Sequence, residues 1–281
     1  MAETATRANE AGYRVEAGYV FPPTTLVVST EEQRAKHDFT AIPEKLYGGI
    51  ADVGFLARYP IKVMGHALFA CHPERGYVHT VQRIRQRVRI ALDEPIDVTG
   101  RFVDVVDHPR GWMMHSRFEY RRQGESEPVL VVEPDALMAD PTRMEGPAAK
   151  PGGKTTGAGT ATEDAGWEQI GTKPFTPEMV LGYSGDTDNK IHTDPEYARG
   201  FGFRAPIAAG NQIVHVLLEA IARDEGVPEQ LDVTIRFRRP VFWDETLVLE
   251  GQRAPDGRLL AVRALRDGKV AADLERNVNT R

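Results

Sequence analysis

Apolar and polar residues alternate along two long stretches of the chain, one in each half. In the first half, an alternating segment reaches the acidic turn Asp93-Glu94, and three further alternating segments follow it. The second half repeats this order around its own acidic turn, Asp244-Glu245, and a Pro/Gly turn follows at the matching place in both. Alternation with a period of two, bounded by Gly, Asp and Pro, is typical of antiparallel strands joined by tight turns. The pattern therefore predicts a duplicated four-stranded antiparallel unit.

Each half also contains one apolar segment with helical spacing ahead of its strands. In the second half, the segment that begins at Pro206 reads PIAAGNQIVHVLLEAIARDEG. Its apolar residues recur three and four positions apart, and Gly226 supplies a stop signal. The corresponding segment of the first half, GGIADVGFLARYPIKVMGHALFA, is less regular and is interrupted by Pro60. One helix lying across one antiparallel sheet, used twice, predicts an α+β fold.

A stretch with few residues to bury separates the two halves. Residues 145–166 are rich in Gly, Ala, Thr and Pro, a composition typical of a flexible linker. Residues 12–144 and 167–281, on either side of it, each have the size of a small domain. We therefore predict two domains joined by a linker and preceded by a frayed amino-terminal tail.

The composition is that of an ordinary soluble globular protein, with 41% apolar and 27% charged residues among 281. The net charge of -6 gives no reason to expect a nucleic acid or an anionic membrane as a partner. No apolar run reaches the roughly 18 residues that a membrane span needs. The amino terminus lacks the apolar segment of a signal peptide, and Cys71 is the only cysteine. A cytoplasmic location without disulfides is therefore expected.

The densest group of residues suited to acid–base chemistry lies just ahead of the second helix. Asp186, Asp188, Asn189, His192 and Asp194 fall within nine positions, and a run rich in Gly, Phe and Pro leads from them into the helix. A carboxylate and an imidazole that share one water molecule can act as base and acid. The backbone N–H groups at a helix N-terminus suit a developing anion. This stretch is therefore the predicted active site.

The same stretch resembles the motif of the MaoC-like hydratases, also called (R)-specific enoyl-CoA hydratases, which have the hot dog fold. The matching residues are Tyr183, Ser184-Gly185-Asp186, Asn189, Ile191-His192, Asp194-Pro195, Ala198, Gly202-Phe203, Pro206-Ile207-Ala208 and Gly210. The resemblance covers about the last 110 residues. The first half resembles the degenerate repeat found in double hot dog members of the family. The implied fold has two hot dog units, whose sheets join edge to edge around two central helices.

The resemblance also implies a reaction and its residues. The expected activity is the reversible hydration of a 2-enoyl thioester to a 3-hydroxyacyl thioester, carried on CoA or an acyl carrier protein, in fatty acid or polyketide metabolism. Asp186 and His192 would activate water, and the N–H of Gly210 would hold the thioester oxygen. A glycine there also lets the thioester approach the main chain closely. Ser184 and Asn189 are secondary candidates, and the first half would form a wall of the acyl pocket without catalysing the reaction.

The motif departs from the family pattern at several positions. Asp186 precedes His192 by six residues where the family has five, so Asp188, four residues before His192, competes for the role of the catalytic carboxylate. Lys190 replaces a proline, Ala209 replaces a second histidine and Asn211 replaces an apolar residue. These changes bear on the substrate more than on the reaction.

The residues expected to contact the substrate are Tyr183, Pro206, Ala209, Asn211, Arg236 and Arg238. Tyr183 is also expected in the core. Arg236 and Arg238 either meet the phosphates of a pantetheine-bearing substrate or lie on a solvated outer face of the sheet. Asp194, which precedes a proline, is expected to cap a short helix, and His215 is expected in the core or at an interface.

Two other functions stay open at this stage. A hot dog thioesterase would hydrolyse the thioester with a carboxylate on its central helix, where this chain offers Glu219 and then Asp224-Glu225. A non-catalytic acyl-thioester-binding protein would do neither reaction. A monomer of two fused units and a homodimer are both compatible with the sequence.

Neither a cofactor nor a metal is expected. The chain has no phosphate-binding glycine motif in strand–helix context. Cys71, His72 and His79 form a weak metal motif without a second ligand pair. In the first half, no aspartate lies at a spacing that would pair it for acid–base chemistry with a histidine at position 66, 72, 79, 108 or 115.

Overall fold

The first half of the molecule is a five-stranded antiparallel unit with one long helix. The computed structural model describes residues 12–143 and 166–277; most of the predicted linker and the predicted amino-terminal tail lie outside these residues. The elements of the first half are β1 (Val20–Leu26), α1 (Thr30–Asp38), α2 (Val53–Cys71), β2 (Gly76–Gln86), β3 (Ile96–His108), β4 (Gly111–Arg122) and β5 (Leu130–Ala139), with short 3-10 helices at Glu44–Leu46 and Pro141–Arg143.

The second half repeats the same plan. Its elements are β6 (Trp167–Pro174), α3 (Pro177–Ser184), a 3-10 helix (Lys190–His192), α4 (Pro195–Gly200), α5 (Gly210–Glu225), β7 (Leu231–Phe237), β8 (Thr246–Arg253), β9 (Leu259–Arg266) and β10 (Lys269–Arg276). The predicted helix of each half is present as α2 and α5, and the predicted strands as β2 to β5 and β7 to β10.

All ten strands form one antiparallel sheet in the order β1-β3-β4-β5-β2-β7-β10-β9-β8-β6. Read from the outer edge inward, the order is β1-β3-β4-β5-β2 in the first half and β6-β8-β9-β10-β7 in the second half. The two halves therefore have the same strand order. The two halves join where β2 pairs with β7, with Ile84 opposite Val233. This pairing covers one edge of each half, edges that would otherwise expose unpaired backbone groups. The α+β architecture of two fused hot dog units is thereby confirmed.

The sequence pattern did not predict the two outer strands, β1 and β6. β1 contains Pro22 and Pro23, and its pairing with β3 shifts register between Phe21 and Thr24. Proline cannot donate a ladder hydrogen bond, so it is tolerated in a strand chiefly at a sheet edge. The two prolines therefore argued against a strand in the sequence pattern, whereas the position of β1 at the sheet edge allows them.

The two central helices pack on the same side of the sheet and share one apolar core. Leu56, Met64 and Leu68 of α2 and Val214 and Leu217 of α5 are almost completely buried in a single cluster that spans both halves. The helices come close at Gly54, where an added Cβ would lie 2.8 Å from Nδ1 of His215. His215 is thus an interface histidine, as the sequence predicted.

Helix α2 continues through Pro60, although the sequence pattern predicted an interruption there. A proline inside a helix has no N–H to donate to the carbonyl four residues earlier, which here belongs to Leu56. The hydroxyl of the buried Tyr120 donates to that carbonyl instead, at 2.7 Å. The neighbouring sheet therefore satisfies the backbone group that the proline leaves unpaired.

The Tyr120→Phe variant is expected to lower the free energy of unfolding by about 1–3 kcal/mol, because the buried Leu56 carbonyl loses its partner. In a Pro60→Ala background the N–H of residue 60 can donate to the same carbonyl, so the penalty of Tyr120→Phe should shrink. Denaturant unfolding of the four proteins gives the coupling energy. Equal penalties in both backgrounds would show that the hydroxyl does not compensate for the proline.

In the described parts of the chain, no helix combines the length and the apolar character needed to cross a membrane.

Candidate active site

The N-terminus of α5 is the centre of the candidate site. Gly210 is the first residue of this 16-residue helix, and the N-cap residue, Ala209, has no side chain that could accept a hydrogen bond. The first N–H groups of a helix have no partner within the helix, and the helix dipole adds partial positive charge there. The amide end of α5 therefore has the polarity that an anionic oxygen needs, and Gly210 lies at this end.

His192 is fixed next to the segment that leads into α5. Its Nδ1 donates to the main-chain carbonyl of Ile207 at 2.8 Å, and Ile207 lies three residues before Gly210. Because a carbonyl only accepts, Nδ1 carries the proton and Nε2 keeps a free lone pair. Burial lowers the pKa of His192 to about 4, against the opposing effect of the Ile207 carbonyl. The imidazole is therefore neutral at pH 7 and can accept a proton at Nε2.

Asn189 ties the same loop to the first half. It is buried, and its Nδ2 donates to the carbonyl of Tyr77 on β2 at 3.2 Å. Asp194 caps α4 as predicted, because its Oδ1 accepts from the N–H groups of Glu196 and Tyr197. The loop that carries His192 is thus held from both sides.

Asp186 is surrounded by cations from the first half. Its carboxylate binds Lys36 at 2.9 Å, Arg58 through a short hydrogen bond, and Lys62 at 3.7 Å. Partial burial raises the pKa of Asp186, but Arg58 and Lys36 outweigh it and hold the pKa well below its usual range. Asp186 is therefore a permanent anion, suited to orienting a donor and poorly suited to carrying a proton.

Asp188, the competing carboxylate, pairs with His66 of α2 at 2.5 Å, and both side chains are more than half exposed. Arg58, Lys62 and His66 lie four residues apart along α2, a spacing that places them on one face of the helix. This face contacts both aspartates of the loop. Within residues 12–143 and 166–277, no hydrogen bond or ion pair joins either aspartate to His192.

The other residues expected near the substrate lie mostly in the interior. Tyr183 is in the core, as predicted; its ring lies 5.3 Å from Lys36 Nζ and 5.7 Å from the ring of His215. Ser184, Pro206, Ala209 and Asn211 are also buried. The hydroxyls of Tyr183 and Ser184 and both amide atoms of Asn211 are buried without a hydrogen-bond partner in the described structure. Each such group in a folded protein calls for an explanation, and a role in a functional site is one of them.

Arg236 and Arg238 lie in ion pairs on the sheet. Both contact Asp273, at 3.4 and 2.5 Å, and Arg236 also contacts Glu275 at 2.7 Å. Side chains alternate along β7, and Ile235 faces the apolar core, so Arg236 faces away from α5. This placement favours the outer-face interpretation over phosphate binding.

A buried hydrogen-bonded cluster joins the two halves near the N-terminus of α2. Oδ2 of Asp52 contacts Nε2 of His37 at 2.9 Å and Nδ1 of His215 at 2.6 Å, while Oδ1 caps α2 at the N–H of Gly54. All three side chains are almost fully buried. Burial raises the pKa of Asp52, but His215 and His37 together hold it well below its usual range.

The side-chain atoms of these three residues that could bind a metal ion lie within 4.8 Å of one another; among the described residues this is the one such group. Hydrogen bonds already occupy those atoms, so we interpret the cluster as structural. Cys71, His72 and His79, the weak metal motif of the sequence, do not form such a group there. Sequence analysis missed His37 and Asp52, and it missed Lys36, Arg58 and Lys62, because their partners are far away in the chain.

Comparison with solved structures identifies the fold. The chain is 20% identical to HtdX from Mycobacterium tuberculosis, with a TM-score of 0.70, over 92% of this chain and 99% of that one. A MaoC-like dehydratase gives a TM-score of 0.70 at 14% identity, over 93% and 98% of the two chains. A conserved hypothetical protein of M. tuberculosis, described as having a double hotdog fold, gives 0.57 at 14% identity, over 93% and 96%.

A structure described as an oleoyl thioesterase, from Lactobacillus plantarum, is also similar, with a TM-score of 0.53 at 13% identity, over 92% of this chain and 94% of that one. No protein-family model matches the sequence, and a search of the curated proteins finds no match. At these identities the likeness establishes the fold: the protein is a double hot dog protein.

The pH dependence of activity is expected to follow the low pKa of His192. If His192 is the base, kcat/KM for hydration should be level from about pH 8 to about pH 5 and fall with an apparent pKa of about 4. An acid limb near 6.5, the ordinary histidine value, would contradict this role.

The same shift has a consequence for stability. Folding lowers the pKa of His192, so the unfolded state binds more protons between pH 6.5 and about 4. The free energy of unfolding should fall in this window as the pH drops, by up to about 1.4 kcal/mol per pH unit for one histidine. Denaturant unfolding across this range measures the slope.

Proposed function

We propose that the protein catalyses the reversible hydration of a 2-enoyl thioester to a 3-hydroxyacyl thioester. The observation that carries this proposal is that a neutral His192 is anchored to Ile207, three residues before the start of α5, and that the N-terminus of α5 has no side-chain cap. The sequence resemblance to MaoC-like hydratases and the structural likeness to a MaoC-like dehydratase support it. The acyl group would be carried on CoA or on an acyl carrier protein.

In the proposed mechanism the thioester oxygen accepts the N–H of Gly210. Water adds to C3 while Nε2 of His192 takes one of its protons, and the electrons of the C2=C3 bond move toward the thioester oxygen. The helix dipole and the amide stabilise the resulting enolate. The imidazolium then returns the proton to C2, which restores neutral His192 and the thioester carbonyl. Dehydration follows the same steps in reverse.

The carboxylate of Asp186 would orient the water. Lys36 and Arg58 both bind Oδ1. Oδ2 faces Lys62 at 3.7 Å, beyond hydrogen-bond distance, and keeps its capacity to accept a hydrogen bond. A pKa far below neutrality suits this role, because the group stays ionised throughout the cycle. Asp188 is the alternative carboxylate, since it has one ion-pair partner and is more exposed.

Comparison of Asp186→Asn with Asp188→Asn decides between the two carboxylates. We expect Asp186→Asn to lower kcat by about 10- to 100-fold with little change in KM, because an amide is a weaker acceptor for the water. Asp188→Asn should change kcat less than about threefold. The reverse ranking in steady-state kinetics would assign the role to Asp188. Arg58→Gln is the control, because it removes the ion pair between α2 and Asp186 and leaves both carboxylates in place.

The contacts of Glu219 disfavour the thioesterase alternative. This glutamate is the carboxylate within the body of the central helix, and it is buried between Lys173 at 2.6 Å and Arg223 at 2.7 Å. A nucleophile or base engaged in two ion pairs is poorly placed to attack a thioester. The structural likeness to an oleoyl thioesterase nevertheless makes hydrolysis the reaction to test against.

A panel of 2-enoyl-CoA thioesters of increasing chain length tests the proposal. Hydration removes the absorbance of the conjugated enoyl thioester without releasing a thiol, whereas hydrolysis releases free CoA that reacts with a thiol reagent. We expect loss of absorbance without thiol release. Thiol release would indicate a thioesterase, and binding without either signal would indicate a non-catalytic acyl-binding protein.

A further inference from the structure

We propose that His79, from the first half, is a specificity-determining residue that accepts a hydrogen bond from the 3-hydroxyl group of the substrate. This inference rests on the proposed function, because it assumes that the thioester oxygen binds at Gly210. Sequence analysis assigned His79 no role in this site, since it lies 131 positions before Gly210 in the chain (79 against 210).

The imidazole of His79 lies against the start of α5. A Cβ added to Gly210 would be 2.8 Å from Nδ1 of His79 and 3.2 Å from its Cβ. The ring also packs on Phe237, with ring centroids 4.5 Å apart. A register shift between His79 and Val81 in the pairing of β2 with β5 marks a bulge at this point. Bulges commonly redirect a side chain beside an active site.

The hydrogen bonding of His79 fixes which nitrogen can meet a ligand. Nε2 lies 3.0 Å from the carbonyl of Val81, and a carbonyl only accepts, so Nε2 carries the proton. Nδ1 then has a lone pair; it is buried, and no group in the described structure forms a hydrogen bond of regular geometry with it, although the Gln82 side chain lies near the ring. Burial lowers the pKa of His79 to about 3, while the Val81 carbonyl and the Gln82 side chain act in the opposite direction. At neutral pH the ring is therefore an acceptor at Nδ1.

A hydrogen-bond acceptor beside Gly210 can bind only a part of the substrate that donates a hydrogen bond. The thioester oxygen needs donors, which the start of α5 provides, so the lone pair of Nδ1 does not suit it. The hydroxyl group at C3 is the hydrogen-bond donor of a 3-hydroxyacyl thioester that lies nearest to the thioester carbonyl. A buried, unpaired acceptor is costly. In the bound 3-hydroxyacyl thioester the hydroxyl would donate its single proton to Nδ1, whereas Asp186 accepts a hydrogen bond only from the water before it adds.

This arrangement also accounts for a departure from the family motif. The MaoC-like hydratases, which the sequence resembles, have a histidine immediately before the glycine that opens the helix. This chain has Ala209 at that position. Here an imidazole reaches the same glycine from β2 of the first half. The first half thus supplies a polar group to the site in addition to the wall predicted for it.

Two substitutions separate the two nitrogens of His79. In His79→Gln, the amide nitrogen can still donate to Val81 from the position of Nε2, but the acceptor at the position of Nδ1 is lost. In His79→Asn, the amide oxygen can replace Nδ1, and the bond to Val81 is lost. If the contact is real, His79→Gln should lose discrimination for the hydroxyl group, and His79→Asn should keep part of it.

The test is the binding of 3-hydroxybutyryl-CoA and butyryl-CoA, measured by calorimetry in a His192→Ala background so that the hydroxyl is not eliminated. We expect 3-hydroxybutyryl-CoA to bind about 3- to 10-fold more tightly than butyryl-CoA, the effect of one neutral hydrogen bond. Adding His79→Gln should bring the ratio close to one. Adding His79→Asn should leave a ratio above that of His79→Gln, and thermal melting checks that each variant is folded.

An unchanged ratio in His79→Gln, or equal binding of the two ligands in the parent, would overturn the proposal. A ratio kept in His79→Gln and lost in His79→Asn would mean that His79 acts through its bond to Val81, which would also overturn the proposal. The proposed function is tested separately, by turnover of a 2-enoyl-CoA with His192 intact. If the protein does not turn over a 2-enoyl-CoA but the affinity ratio still depends on His79, hydration is rejected and the hydrogen bond between His79 and the hydroxyl group is supported.

Discussion

Replacement of His192 with alanine is expected to lower kcat for hydration by about 10²- to 10⁴-fold, the usual contribution of a positioned acid–base group. In the proposed mechanism this imidazole takes the proton from water and returns it to C2, and no other group in the proposal carries a proton. The effect should fall mainly on kcat, since the start of α5 still binds the thioester oxygen. Steady-state kinetics on a 2-enoyl-CoA measures it.

His115→Ala is the matched control. His115 lies on β4 and pairs with Asp135 at 2.9 Å, with its side chain 40% exposed, and no step of the mechanism uses it. This variant should keep turnover close to that of the unmodified protein. Wild-type turnover in folded His192→Ala would remove His192 from the mechanism.

Replacement of Asp52 with asparagine is expected to lower the free energy of unfolding by about 3–5 kcal/mol, because the buried carboxylate accepts hydrogen bonds from His37, His215 and Gly54 that an amide cannot all keep. His37 and His215 both contact the carboxylate in the interior, and an amide cannot match its negative charge. For a chain of this size the loss corresponds to a melting temperature lower by roughly 6–20 °C. Denaturant and thermal unfolding measure it directly.

Asp244→Asn provides the control for Asp52→Asn. Asp244 pairs with Arg204 at 2.7 Å, but both side chains are about half exposed (48% each), so its removal should cost less than about 1 kcal/mol. The pKa of Asp52 is held below its usual range, so its stabilisation is present at neutral pH and is lost as the pH falls below about 4. Equal effects of the two substitutions would show that the buried cluster does not join the halves.

The sequence predicted the parts of the fold that depend on local pattern. Alternation and turn residues predicted the eight inner strands, and helical spacing predicted α5. The cap at Asp194 follows from an aspartate before a proline. Each of these features is determined by residues that are close together in the chain.

Features that depend on distant contacts were missed. The continuity of α2 through Pro60 depends on Tyr120, which lies on another strand. The environment of Asp186 depends on Lys36 and Arg58, which lie in different helices of the first half. An isolated lysine or histidine in a sequence gives no sign of such a partner, because only folding brings the two together.

The location of the added oxygen tests the central claim most directly. The protein is incubated with a 2-enoyl-CoA in water labelled with oxygen-18, and the products are analysed by mass spectrometry. We predict one labelled oxygen in the hydroxyl group at C3 of an intact thioester, and almost none within the same time with His192→Ala. Label in a free carboxylic acid, with release of CoA, would contradict hydration and indicate attack on the thioester carbonyl.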